Sequence, residues 1–134
     1  MGADTIEYRL LPGTRASVGR AGTHSVIADR PEGKAGGMGL GFNGGELLAL
    51  ALGGCICNDL QVLADEAGKS IADLTVTVTI EFGGQPSRAT NVVMTIDCTL
   101  ADGSDPSDLI ERAKALTNIA NSLRSGVPVE IETV

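Results

Sequence analysis

At 134 residues and 13.7 kDa, with 43% hydrophobic and 20% charged residues and a mean hydropathy of +0.15, the chain has the make-up of one folded domain over residues 1–134, which excludes an intrinsically disordered protein. A net charge of −7, with 10 basic residues scattered among 17 acidic ones, argues against nucleic-acid and anionic-membrane partners, and one Tyr, two Phe and no Trp offer no platform for stacking bases. The longest apolar run, Leu47–Cys57, is about eleven residues and holds two glycines, short of the ~20 that a membrane span needs. No basic segment followed by an apolar one opens the chain, so no signal peptide is expected and the protein reads as soluble and cytoplasmic.

Three short strands are expected first, over 5–10, 14–18 and 23–28, punctuated by Pro12-Gly13 and by Gly19 and Gly22. Residues 30–45, glycine-rich with Pro31, read as an extended loop. A helix is expected from Glu46 to Ala67, because Asn43 can cap it and Gly68 stands where a left-handed C-terminal residue belongs. Its first half (Leu47, Leu48, Leu50, Leu52, Cys55, Ile56) is apolar nearly all round, the mark of a helix buried on most sides, and its second half turns amphipathic.

Residues 74–82 alternate, with Val76, Val78, Ile80 and Phe82 on one face and Thr75, Thr77, Thr79 and Glu81 on the other. Residues 91–100 likewise place Val92, Met94, Ile96, Cys98 and Leu100 inward, so the two segments are expected to pair as an antiparallel hairpin. Asp105 and Pro106 begin a second helix, whose stripe of Leu109, Ile110, Ala113, Leu116, Thr117, Ala120 and Leu123 runs to a stop at Gly126. Val127–Val134 reads as a last strand. The expected order is β-β-β-α-β-β-α-β, a two-layer α+β domain with a buried central helix. A small sheet and one amphipathic helix cannot cover a helix that is apolar on all sides. A second subunit is therefore expected to supply the cover, in an intertwined homodimer.

Three cysteines at these spacings make no disulfide framework, and His24, the lone histidine, leaves a Cys/His zinc site short of ligands, so no metal or cofactor is expected. If the cysteines do chemistry, it is thiol chemistry in a reducing compartment. Cys98 lies on the inward face of a strand, as core cysteines do. Cys55 and Cys57 stand ~200° apart around the helix and cannot bond to each other without unwinding it. Cys55 follows Gly53-Gly54, where each glycine costs ~1 kcal/mol relative to alanine. Either two backbones approach closely there, or the gap keeps the thiol accessible. About three turns into the helix the dipole has faded, so a charge that activates Cys55 has to come from elsewhere, most simply from an arginine.

The segment Glu46-Leu-Leu-Ala-Leu-Ala-Leu-Gly-Gly-Cys55 resembles the P-x-E-L-L-L-A-A-L-G-G-C helix of the OsmC/Ohr-like proteins. Asp29-Arg-Pro…Gly36-Gly37 before it, Ala67-Gly-Lys…Thr75-Val-Thr-Val after it and Asn121-Ser-Leu-Arg-Ser-Gly-Val-Pro-Val-Glu130 also fit, so the likeness runs from about residue 15 to the end. The resemblance implies an intertwined homodimer with two sites at the subunit interface, and reduction of organic hydroperoxides by a thiolate at the position of Cys55. It further implies that Arg20, in Val18-Gly-Arg-Ala-Gly22, stabilises that thiolate and the peroxide oxygen. Two departures stand out. The family's glutamate ten residues before the cysteine is Gly45 here, with Glu46 ~100° away on a helix, and its resolving cysteine is Thr117. Cys55 and Arg20 are thus the candidate catalytic residues and Glu46 and Thr117 the candidate pocket residues. The expected activity is reduction of hydroperoxides by one cysteine recycled by an external thiol. The alternative is a small-molecule binding or thiol/sulfur-transfer protein on the same scaffold.

Overall fold

Three short antiparallel strands open the structure, a computed structural model that describes residues 2–134. β1 (Glu7–Leu10), β2 (Ser17–Ala21) and β3 (His24–Ala28) pair in sequence order. β2 begins three residues later than the 14–18 expected, because Thr14 belongs to the β1–β2 turn: its hydroxyl donates to the Leu11 carbonyl at 2.9 Å and accepts the Ala16 N–H at 3.0 Å. The Tyr8 ring lies across Gly19, where a Cβ would come within 2.6 Å of it. The loop after β3 is organised by Asp29, a buried carboxylate that accepts the N–H groups of Arg30 (2.7 Å), Met38 (3.1 Å) and Leu40 (3.0 Å). The bond from Leu40 foremost, and those from Arg30 and Met38, hold this carboxyl below its ordinary range against the opposing effect of burial. The chain returns at Phe42, which bridges Ala28, and Gly41 lies so close to the Ile27 carbonyl that no side chain fits there. These elements form one compact unit, up to Leu48.

The second compact unit is Ala49–Val134. The helix α1 (Gly44–Glu66) starts at the end of the first unit and runs through the second, longer by two residues at its N-terminus than the sequence suggests. At its start Asn43 Oδ1 accepts the Glu46 N–H (2.8 Å), and the Glu46 carboxylate accepts the Asn43 N–H (3.0 Å), a reciprocal capping box. At its end Gly68 takes the left-handed conformation, φ +68°, as expected. By length and composition its 23 residues would cross a bilayer, more than the eleven-residue run suggested, yet α1 is the core helix of its unit. Ile56, Leu60, Leu63 and Ala64 pack with Leu100, Leu109 and Ala113.

β4 (Ile71–Gly83) and β5 (Arg88–Leu100) form the antiparallel hairpin, in a register that pairs Leu74 with Cys98, Val76 with Ile96 and Val78 with Met94. The inward and outward faces are those read from the alternation, with one exception. Phe82 is 53% exposed, because a register shift between Glu81 and Phe82 breaks the alternation at the hairpin's end. The result is the expected mixed α+β fold, with three helices and two small sheets.

Two elements differ from expectation. The second helix is two, α2 (Ser107–Leu116) and α3 (Asn118–Ser125), separated by Thr117 in an extended conformation (φ −60°, ψ 113°). The break leaves little unsatisfied: Thr117 N–H still donates to Ala113 O at 3.0 Å, and the Asn121 side-chain amide donates to Ala115 O at 2.9 Å, taking up one of the last carbonyls of α2. The last strand is absent, since Val127–Val134 has no regular pairing and Ile131 is 93% exposed. Nor does one chain bury α1 on most sides. Leu50 is 52% exposed, and with Ala51, Gly54, Asn58 and Val62 it forms an open stripe at three- and four-residue spacing.

Candidate functional site

Cys55 sits on α1, one turn beyond the open residue Ala51 and half-buried. The two glycines before it differ in their surroundings, and neither meets a second backbone. A Cβ at Gly53 would stand 3.1 Å from Val78 Cγ2, so this glycine is a close-packing position against β4. Nothing lies within 4 Å of a Cβ at Gly54, so the space beside Cys55 on that side is open. All three cysteines are free thiols. Burial pushes the Cys57 thiol up, and burial followed by the neighbouring Asp97 pushes the Cys98 thiol up, which leaves both protonated and unreactive at neutral pH.

The hydrogen-bond partner of Cys55 is Asp59, one turn further along the helix, with Sγ donating to Oδ2 at 3.8 Å. Sequence reasoning missed this residue, although the i, i+4 spacing on a helix was sufficient to find it. A thiolate here would face a carboxylate. At such a distance two negative charges repel by about 1 kcal/mol in water and about 4 kcal/mol near a protein surface. A cation supplied to the sulfur has to overcome this.

The other candidates are placed as follows. Arg20 lies on β2 in the first unit, whereas Cys55 lies in the second. Arg20 is exposed and shares its sheet face with Glu7, directly opposite on β1. The Glu7 carboxylate bonds Arg9 instead, at 2.6 Å, and the Arg20 guanidinium has no hydrogen-bond or salt-bridge partner among the described residues. Glu46 is engaged in the capping box.

Thr117 is 1% exposed, and its hydroxyl is buried without a hydrogen-bond partner among the described residues. The sequence correctly places this side chain in the core, while its position at a helix break was not foreseen. A buried hydroxyl without a partner costs about 1–3 kcal/mol. Thr117→Val, which keeps the branched shape and suits the extended backbone, is therefore expected to raise stability by about 1–2 kcal/mol, read as a higher urea midpoint at unchanged slope. Among the described residues no group of three or more His, Cys, Asp or Glu side chains is arranged to hold a metal ion.

The family model described as OsmC-like protein matches residues 36–132. No curated protein matches the chain. Among solved structures, an OsmC-like protein from Mycoplasma pneumoniae is 16% identical, with 93% of this chain and 89% of that one covered at a TM-score of 0.76. An organic hydroperoxide resistance protein from Elizabethkingia anophelis, with thiocyanate bound, is 19% identical over 94% of this chain and 91% of that one, TM-score 0.63. An organic hydroperoxide resistance protein OsmC from Legionella pneumophila is 15% identical over 92% and 90%, TM-score 0.62. At these identities the likeness is one of fold.

Proposed function

The chain belongs to the OsmC-like family, and from that membership we propose that it reduces organic hydroperoxides with Cys55 as its single reactive thiol, in defence against oxidative stress. The observation that carries this reading is the setting of Cys55, half-buried on the family's glycine-glycine-cysteine helix with open space at Gly54, where a small molecule can reach the sulfur. Two structural neighbours named as organic hydroperoxide resistance proteins support it. In the reaction Sγ bonds the distal peroxide oxygen, the O–O bond breaks, and the leaving alkoxide departs as the alcohol with the thiol's proton. The cysteine is then a sulfenic acid. Two equivalents of an external thiol return it to the thiol, giving a disulfide and water. Arg20, with its guanidinium unpartnered among the described residues, is the proposed source of positive charge for the thiolate and the leaving oxygen. The test is intact-protein mass spectrometry after slight excess of cumene hydroperoxide with a sulfenic-acid trap present. One trap adduct per chain supports the reading, and no adduct over minutes removes it.

The working form proposed is a homodimer, supported by the exposed Leu50 and Val62 on α1 and by the exposed apolar residues of Val127–Val134. Sedimentation at micromolar concentration is expected to give twice the 13.7 kDa chain mass, and a monomer would refute it. Three free thiols fit a cytoplasmic setting, and the acidic balance fits a protein with neither nucleic-acid nor membrane partners.

One set of observations favours the second reading, a binding or thiol/sulfur-transfer protein. Glu46 is committed to the helix cap, Thr117 stands in place of a second sulfur, and Cys55 faces a carboxylate. The missing adduct would point there, and formation of a persulfide at Cys55 from a sulfane-sulfur donor would establish transfer.

A further inference from the structure

We infer that Asp59 is a specificity-determining residue, which makes Cys55 a thiol for neutral and cationic reactants and turns anionic ones away; this deepens, and rests on, the reading of Cys55 as the reactive residue. Asp59 Oδ2 lies 3.8 Å from Cys55 Sγ, so a molecule that bonds the sulfur is within reach of the carboxylate's field. Both residues are half-buried, so each keeps part of its surface open to solvent and to the reactants. Among the described residues the ion pairs join Arg9 to Glu7, Arg30 to Asp29, Lys69 to Asp102 and Lys114 to Glu111, and none includes Asp59. The net charge of −7 adds a repulsive background of the same sign.

The substrate class follows from this field. Alkyl and aryl hydroperoxides without a charge approach Cys55 freely, whereas a hydroperoxide that carries a carboxylate close to its peroxide group is disfavoured. The same selection applies to the reductant, so a neutral or cationic thiol recycles the sulfenic acid faster than one carrying net negative charge.

The test uses methanethiosulfonate reagents with a trimethylammonium or a sulfonate group on the transferred arm. In each case Sγ bonds the reagent's thiol sulfur and methanesulfinate leaves, which gives a mixed disulfide. Modification is followed at Cys55 by peptide mass spectrometry on the full chain, for wild type and Asp59→Asn. Because both rates are taken at one pH on one thiol, the thiolate fraction cancels from their ratio. The cation-to-anion rate ratio is expected to be about tenfold higher in wild type than in Asp59→Asn at low salt. In wild type alone it should fall towards the variant's value in about 1 M salt, where the screening length is ~3 Å; this second arm needs no substitution to fold. Equal ratios in the two proteins, or a wild-type ratio indifferent to salt, would overturn the inference, as they would if a cation such as Arg20 cancelled the charge. Cumene hydroperoxide is neutral, so its failure to oxidise Cys55 would remove the peroxidase reading while leaving the ratio intact.

Discussion

Cys55→Ser is expected to eliminate the peroxide-dependent sulfenic-acid adduct, down to the level of a protein without reactive thiols. The size of this effect depends on the two cysteines that remain. Sulfur attacks peroxide as the thiolate, and the thiolate population falls about tenfold for each pH unit by which a thiol's pKa lies higher. Burial pushes both Cys57 and Cys98 up, with Asp97 adding to the effect at Cys98. Neither is expected to form the adduct at neutral pH. Their signals should emerge only as the pH is raised, which gives the experiment an internal control: an adduct that persists in Cys55→Ser at neutral pH would show that another sulfur does the chemistry. Because serine differs from cysteine by one atom at a half-buried position, a change in the thermal midpoint is not expected to accompany the loss.

The second large effect concerns the core. Leu60 is 0% exposed and belongs to the cluster of Ile56, Leu63, Ala64, Leu100, Leu109 and Ala113, in which α1 meets the end of β5 and the face of α2. Leu60→Ala removes three carbons from a site that no solvent reaches, and neighbours tied into a helix and a 13-residue strand can close the void only in part. A loss of about 3–4 kcal/mol is expected, within the ~2–5 kcal/mol typical of such truncations. For a domain of marginal stability that is a large share of the total. Urea unfolding followed by far-ultraviolet circular dichroism would measure it, and a loss under about 1 kcal/mol would mean that the cluster is not the centre of the fold.

The residues whose partners lie close in sequence were the ones that could be read. Val76, Val78 and Ile80 face Ile96, Met94 and Val92 because alternation over a hairpin is a local property, and Gly68 and Gly126 end helices because only the local backbone decides it. The capping exchange between Asn43 and Glu46 is local too, and the sequence gives half of it, the asparagine, while the glutamate was assigned to a pocket. Phe82 was misplaced because a single register shift reverses the faces beyond it. Thr117 interrupts a stripe whose spacing continues across the break, and no glycine or proline marks the position; the side-chain amide of Asn121, four residues on, takes up a carbonyl the break frees. At the site, Cys55 was legible as a helix motif. Asp59 was not, because an i, i+4 pair shares a helix face whether or not its side chains turn towards each other, and only the structure shows that these two do.

The open segment Val127–Val134 bears on solubility. Valine and isoleucine alternate with Pro128, Glu130 and Glu132, so its apolar face has the pattern of a strand that seeks a partner. Stretches of this kind are nucleation points for fibrils when they can stack on copies of themselves. Here the polar face opposes it. In-register stacking would set Glu130 against Glu130 and Glu132 against Glu132, like charges directly opposite, and the proline withholds one N–H from the ladder. The carboxylates stand where gatekeepers do, and they favour pairing with a different strand over in-register stacking on replicas of the segment.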